Sequence, residues 1–97
     1  MNTYKVWDPE DGDEDLARKV DARSSAKAVE RWAEWRDAYS AEYEIVRGGE
    51  PVTVHCRLDA PLSPREMLLD NARPLEVFEV DGESVPVYRA RRTAIVK

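Results

Sequence analysis

The segment from Ser24 to Tyr39 constrains the fold most, because it combines a helical apolar period with a complete absence of Gly and Pro. Ser24 or Ser25 can cap its N-terminus. At about 100° per residue, the apolar residues share one face of a helix and most of the charged residues lie opposite. The apolar face comprises Ala28, Val29, Trp32, Trp35 and Tyr39, and the charged face Lys27, Glu30, Arg31, Glu34 and Asp37. We therefore predict a helix over 24–39, packed on a sheet.

Segments on both sides of this helix have the composition and period of strands, and they are joined by turn residues. Pro86 has no N–H to donate, so the last strand belongs at a sheet edge, and a slip in apolar phase between Val77 and Phe78 predicts a bulge. The turn residues define three predicted hairpins. The first joins strands 4–7 and 16–22 through the loop 8–15. The second joins strands 43–46 and 51–58 through Arg47-Gly48-Gly49-Glu50, and the third joins strands 75–80 and 84–91 through Asp81-Gly82.

A second, shorter helix is predicted over 64–70. Ser63 and Glu66 form a capping box, with Pro64 at the first helical position. The whole chain, 1–97, is then a single α+β domain. It has an antiparallel sheet of about five or six strands, the 24–39 helix on one face, and this short second helix.

Composition indicates a cytoplasmic protein. The single cysteine, Cys56, excludes an internal disulfide framework and suits a reducing compartment. The N-terminus has no apolar signal region, and no apolar run approaches the length that spans a membrane. The net charge of −5 disfavours nucleic acid as the partner.

The charge is concentrated in the loop that follows the first strand. Six acidic residues lie between positions 8 and 15, directly after Trp7: Asp8, Glu10, Asp11, Asp13, Glu14 and Asp15. Asp8 and Pro9 are typical of a turn, so the segment is first of all a hairpin loop. Aligned on Gly12, a calcium-binding EF-hand loop would place Trp7, Pro9 and Arg18 at ligand positions, so that motif fails and no metal is expected.

Trp7 gives this loop a possible anchor. Its strand parity points it away from Tyr4 and Val6, and an exposed Trp beside a charged rim has the composition of a protein-binding site. The simpler alternatives are that Trp7 lies on the core face, or that it packs against the stem of Lys5 or Arg18. The acidic loop itself is either a solvated turn or a mimic of nucleic-acid phosphates that docks on a basic protein surface.

Catalytic patterns are missing from the sequence. His55 and Cys56 are adjacent on a predicted strand, so their side chains face opposite ways and cannot form a dyad. There is no glycine-rich phosphate loop, no metal-ligand spacing and no nucleophile elbow, so neither an enzyme nor a cofactor is expected. The basic cluster of Arg89, Arg91 and Arg92 either contacts phosphates or protects an edge strand from aggregation, and the overall acidity favours protection.

Three stretches carry a resemblance: Y-K-V-W-D-P-E-D-G-D-E-D, A-V-E-R-W-A-E-W-R-D-A-Y-S-A-E-Y-E-I-V and G-E-S-V-P-V-Y-R-A-R. Together they look like a group of small proteins of proteobacterial genomes and their phages, and they are similar in kind to anti-CRISPR inhibitors. The resemblance implies a non-enzymatic inhibitor that occupies the surface of a host nucleoprotein or nuclease, and it carries no functional residue across.

Two functions are therefore expected. In the first, the chain binds a host protein with a basic surface, with Trp7 as anchor and the six acids of the loop as steering or phosphate-mimicking groups. In the second, it is a structural or assembly module that forms an oligomer, or binds a partner, through a sheet edge or through the 64–70 helix with its Met67-Leu68-Leu69 run. The sequence leaves monomer and homodimer equally open.

Overall fold

A computed structural model describes residues 1–39, 44–61, 64–65, 73–84 and 86–96, and these form an α+β domain, as predicted. The described strands make one sheet of five in the order β2-β1-β3-β4-β5, and all neighbours are antiparallel. The elements are β1 (Asn2–Trp7), β2 (Arg18–Ala22), α1 (Ser25–Tyr39), α2 (Glu44–Gly48), β3 (Val52–Leu58), β4 (Leu75–Ser84) and β5 (Val87–Val96).

The core lies between α1 and one face of this sheet, called here the inner face. Alternate residues of the strands point to it, because side chains on a strand alternate between faces. Val6, Val54 and Val80 are fully buried there, and Phe78 is 1% exposed. They pack against Ala28, Val29, Trp32 and Ala33 of α1. The opposite side of the sheet is called the outer face.

Helix α1 begins as predicted, but its last turn differs from the periodic pattern. The Lys27 N–H donates to Ser24 Oγ at 3.2 Å, so Ser24 is the N-cap. Tyr39, predicted to pack, is 81% exposed, whereas Asp37, predicted on the charged face, is completely buried. Tertiary contacts explain the burial of Asp37, because its carboxylate accepts hydrogen bonds from elements other than its own helix.

The predicted strand over 43–46 is wrong, since Glu44–Gly48 is the short helix α2. Two N–H groups of its first turn, those of Ile45 and Val46, donate to the Asp37 carboxylate at 3.0 and 3.1 Å. Such groups have no acceptor within their own helix, so Asp37 supplies what a helix of this length lacks. Gly49 does take a positive φ of 70°, but it follows the end of a helix instead of turning a hairpin.

The β4–β5 hairpin is confirmed, although Asp81-Gly82 is not its turn. Both residues continue β4, and Gly82 pairs with Tyr88. A Cβ on Gly82 would lie 2.8 Å from Val46 Cγ2 and 3.0 Å from Tyr88 Cε1, so this glycine permits close packing. Pro86 lies in the turn, and β5 is an edge strand as predicted. The predicted bulge is confirmed between Val77 and Phe78.

The predicted helix over 64–70 lies mostly outside the described residues. Pro64 and Arg65 are described and are helical. Ser63, Glu66 and the Met67-Leu68-Leu69 run fall outside the described ranges. Within those ranges, no helix is both long enough and apolar enough to span a membrane.

Candidate protein-binding site

The acidic loop between β1 and β2 is an ordered turn. The Asp8 carbonyl accepts hydrogen bonds from the N–H groups of Asp11 at 3.0 Å and Gly12 at 3.3 Å. The Asp8 side chain accepts the Glu10 N–H at 2.9 Å, which closes a side-chain turn of the type that aspartate favours. A 3-10 helix, Glu14–Leu16, then leads into β2, which begins at Arg18 and not at Leu16 as predicted. Position 8 therefore sets the shape of the loop.

Two of the six acids bind the loop to α1. Asp8 and Asp11 both form ion pairs with Arg36, at 3.5 and 2.5 Å, and the Asp8 side chain is only 9% exposed. The Arg36 guanidinium also lies 5.2 Å from the ring centre of Trp32, a cation–π distance. The head group of Arg36 therefore contacts both the loop and an aromatic ring of its own helix. These two carboxylates join the loop to α1; the Asp8 side chain is nearly buried there, whereas the Asp11 side chain stays 59% exposed while paired.

A third acid attaches the 3-10 helix to the outer face of the sheet. Glu14 forms ion pairs with Lys5 of β1, at 3.3 Å, and with Arg57 of β3. Lys5 and Arg57 are opposite one another in the β1–β3 register. All three side chains are partly buried, so this triad is less screened than a fully exposed pair.

Trp7 is not the exposed anchor that its position suggested. It is only 7% exposed, and its indole meets the His55 ring edge-on with the ring centres 5.6 Å apart. Trp7 pairs with His55 while Val6 pairs with the buried Cys56, so the predicted parity is correct and Trp7 points away from Val6. The 3-10 helix contacts β1, the strand that ends at Trp7. Trp7 supports the site from beneath.

The remaining acids face solvent together with one large apolar side chain. Glu10, Asp13 and Asp15 are exposed and form no ion pair with any described residue. Leu16, predicted to begin the second strand of this hairpin, is 77% exposed beside them. We call Glu10, Asp13, Asp15 and Leu16 the acidic edge. It combines free carboxylates with an uncovered apolar group, on a loop that its other acids hold rigid.

Behind the acidic edge is a cleft of about 170 Å³ between the loop and α1. Asp13 and Leu16 line its loop side, and Trp32 and Trp35 line its helix side. The guanidinium of Arg18 lies 4.1 Å from the ring centre of Trp35, so one of the chain's own cations already covers this aromatic face. The cleft is smaller than the roughly 300 Å³ that small-molecule sites usually need, but it can admit a side chain of a docked protein.

The sole His and Cys of the chain do not form a reactive pair. Cys56 is fully buried on the inner face, and His55 faces the other way beside Trp7. Burial raises the pKa of the Cys56 thiol to about 12, and the neighbouring Glu76 charge adds to the effect. The thiol is therefore protonated and inert at neutral pH. In the described part of the chain, no group of three or more His, Cys, Asp or Glu residues is placed to hold a metal ion.

The basic cluster on β5 is matched by acids on β4. Arg89 pairs with Glu83 at 3.4 Å, Arg91 with Glu79 at 2.8 Å and Arg92 with Glu76 at 3.1 Å. These contacts run across the hairpin, so the three arginines do not form a strip of uncompensated positive charge. This arrangement fits the protective interpretation of the cluster better than a phosphate-binding one.

The sequence did not predict that Leu16 is exposed. In a strand every second side chain points the same way, so a strand over 16–22 would point Leu16 into the domain together with Val20. A signal was present in Asp13-Glu14-Asp15, since three consecutive acids directly before Leu16 make a regular, half-buried strand there unfavourable. No protein family, no curated protein and no solved structure matches the chain, so the function of the acidic edge has to be argued from its geometry.

Proposed function

We propose that this chain is a non-enzymatic protein-binding domain whose acidic edge docks on a basic surface of a partner protein. The observation that carries the proposal is the division of labour within the loop. Asp8, Asp11 and Glu14 are consumed by ion pairs that fix the loop, whereas Glu10, Asp13 and Asp15 are exposed without a partner among the described residues. A solvated turn needs no such bracing.

The acidic edge contains the two components of a steered interface. Free carboxylates attract a basic surface over roughly 8 Å in physiological salt and raise the association rate. The side chain of Leu16, 77% exposed, offers an apolar contact that salt does not screen. Trp7 remains part of the site, as a buried support that fixes the β1 end of the loop.

The partner we propose is a nucleic-acid-binding protein, a host nucleoprotein or nuclease. Such proteins present clustered Lys and Arg to phosphates, and carboxylates on a rigid loop can occupy the same groove. The resemblance to inhibitors of the anti-CRISPR kind supports the same choice. In this proposal the chain competes with nucleic acid for the basic groove.

The first test is a pull-down from host lysate at low and high salt, followed by binding kinetics with the captured partner. The variant Glu10→Gln, Asp13→Asn, Asp15→Asn removes three negative charges without touching the braced acids. We expect its association rate to fall by about tenfold at low salt, with a much flatter salt dependence.

The matched control is Asp21→Asn, Glu34→Gln, Asp81→Asn, which removes the same charge from exposed positions outside the loop that form no ion pair with any described residue. It should retain most of the wild-type rate, because none of these acids belongs to the loop or lines the cleft behind it. Equal rates for the two triple variants would contradict the proposal, since net charge alone would then explain the effect.

The apolar half of the acidic edge is tested separately by Leu16→Ala. We expect faster dissociation with little change in association, because a short-range contact acts after encounter. Val87→Ala, at another exposed apolar position, is the control and should leave the complex unchanged. Unaltered dissociation of the Leu16 variant would remove this residue from the site.

A second candidate, an assembly module, is favoured by the free edge of β5. Val87 and Val96 are 43% and 53% exposed on this edge strand. Part of the edge is blocked, because the Ala90 N–H donates to the Glu30 carboxylate of α1 at 3.0 Å. Light scattering at two concentrations distinguishes the candidates: a concentration-dependent dimer supports assembly, and a monomer at both supports the binding domain.

A further inference from the structure

Two aromatic rings of α1 meet at the surface of the domain. Trp35 is half-buried at the rim of the core, and Tyr39, one turn further along the helix, is 81% exposed. Their ring centres lie 5.7 Å apart with the ring planes tilted by 45°. Of the two, Trp35 lines the cleft behind the acidic edge, and Tyr39 is not among the residues that line it. The Trp35 ring is therefore the aromatic surface next to the proposed docking site.

The loop side of the cleft faces this ring with an aliphatic group and a carboxylate. Gly12, Asp13 and Leu16 form that side. Leu16 packs closely on the loop, since a Cβ at Gly12 would lie 2.8 Å from Leu16 Cδ1. Asp13 is exposed and forms no ion pair with any described residue. The cleft thus combines an aromatic wall with a carboxylate that the chain itself does not neutralise by an ion pair within its described part.

The chain places one of its own guanidinium groups on the aromatic wall. Arg18 is the first residue of β2 and pairs with Val6, which is buried on the inner face, so the Arg18 side chain points the same way, towards α1. Its Cζ lies 4.1 Å from the ring centre of Trp35. Arg18 is exposed and forms no ion pair with any described residue. This contact shows which chemical group the Trp35 ring accepts.

The contact between Arg18 and Trp35 is weak enough to be replaced. At an exposed site, a cation over an aromatic ring favours the stacked state by only about two- to fivefold. Arg18 lies on an edge strand and is exposed, so its side chain is free to turn into solvent. An arginine brought in by a partner would gain the same ring together with the carboxylate of Asp13. The incoming arginine therefore has more to gain from the cleft than Arg18 has.

We infer that the cleft binds an arginine side chain of the docked partner, which stacks on Trp35, pairs with Asp13 and displaces Arg18. The inference rests on the proposed function, because the arginine belongs to the basic surface on which the acidic edge docks. Arginine is preferred over lysine, since its planar and weakly hydrated guanidinium stacks on an aromatic face and binds a carboxylate at the same time. The acidic edge supplies the attraction to positive charge, and the cleft supplies the preference for arginine.

The probes are two capped peptides of equal charge, hexa-arginine and hexalysine, titrated calorimetrically into the intact chain at low salt. We expect hexa-arginine to bind at least about fivefold more tightly. Its addition should also shift the indole N–H signal of Trp35 in the NMR spectrum, which is identified by its absence from Trp35→Leu. Equal affinities for the two peptides would overturn the arginine inference and leave the proposed function intact. Binding of neither peptide would overturn both.

Two matched pairs of variants locate the arginine. Arg18→Gln empties the ring, so it should raise the affinity for hexa-arginine about two- to fivefold more than that for hexalysine. Arg23→Gln, the same change at an exposed arginine outside the cleft, should leave the preference unchanged. Trp35→Leu should abolish the preference for hexa-arginine and keep hexalysine binding, whereas Tyr39→Leu should keep the preference.

Circular dichroism establishes that each variant is folded. Because Trp35 packs against the core, its substitution is the one most exposed to a loss of stability. The Arg18 pair and the Trp35 indole signal of the wild-type chain test the same contact without that substitution. Equal effects within either pair of variants would place the arginine elsewhere and refute the site.

Discussion

The buried carboxylate of Asp37 offers the sharpest test of how this fold is held together. It is completely buried and joins three elements, because it lies on α1 and accepts the N–H groups of Ile45 and Val46 of α2 and the hydroxyl of Tyr88 of β5. The Tyr88 bond is 2.7 Å long and the two backbone bonds are 3.0 and 3.1 Å. The perturbation is Asp37→Ala.

The magnitude follows from what the substitution leaves behind. Each donor left buried without an acceptor costs about 1–3 kcal/mol. The Val46 N–H is only partly buried, so water can replace its acceptor in part, and Ala regains up to about 0.7 kcal/mol of helix propensity over Asp. We therefore expect Asp37→Ala to lower the free energy of unfolding by about 3–5 kcal/mol. A domain of this size typically has about 5–15 kcal/mol in total.

The assay is urea unfolding followed by Trp fluorescence and by far-ultraviolet circular dichroism. Tyr88→Phe removes one of the three donors along with its hydroxyl and should cost about 1–2 kcal/mol. In the double variant the two losses should not add, since they share one hydrogen bond. Glu34→Ala, at an exposed acid of the same helix, should change stability by less than about 0.5 kcal/mol. A loss below about 1 kcal/mol for Asp37→Ala would refute the role assigned to this carboxylate.

Three further predictions concern the core, the close packing and the loop support. Because burial raises the Cys56 pKa to about 12, its contribution to stability is fully present below the thiol's usual value of 9.0 and is lost only as the pH rises towards 12. At pH 8 a thiol reagent should therefore label Cys56 only at the rate of unfolding, and rapid labelling of native protein would contradict this. Gly82→Ala should cost about 1–3 kcal/mol, measured by thermal unfolding, because its new Cβ would lie 2.8 Å from Val46. Gly48→Ala, with nothing within 4 Å, should be neutral, and equal costs would argue against the close packing. In urea unfolding, Trp7→Ala should lower the free energy of unfolding by about 3–5 kcal/mol, and Leu16→Ala by less than about 0.5 kcal/mol. The reverse order would contradict the assignment of Trp7 as a buried support and of Leu16 as an exposed contact residue.

Much of the fold could be predicted because its signals are local. The N-cap at Ser24 and the helical period that follows are properties of neighbouring residues, as is the alternation of β3. The bulge in β4–β5 was also predictable, since a slip in apolar phase is visible along one strand. The clustering of acids between positions 8 and 15 was visible in the sequence, but not which of them form ion pairs.

Where prediction failed, the deciding contact joined residues of different secondary-structure elements. Y-E-I-V has strand propensity, yet Ile45 and Val46 are helical because Asp37 accepts their N–H groups. Asp81-Gly82 has hairpin chemistry, yet Gly82 is used for close contact with Val46, a residue of another element. In both cases local propensity is worth less than one buried hydrogen bond or one avoided clash.

The sequence by itself determined the α+β class, the positions of α1 and β3, and the concentration of acid between positions 8 and 15, because these depend on period and composition. Only the tertiary structure decided which acids are free. Arg36 lies on α1 and Arg57 on β3, and each takes loop carboxylates that are identical in sequence terms to those left exposed. The tertiary structure also decided that Trp7 is buried and Leu16 exposed, through the packing of the 3-10 helix on the sheet. Charge and hydrophobicity are properties of residues, but availability to a partner is a property of the packing around them.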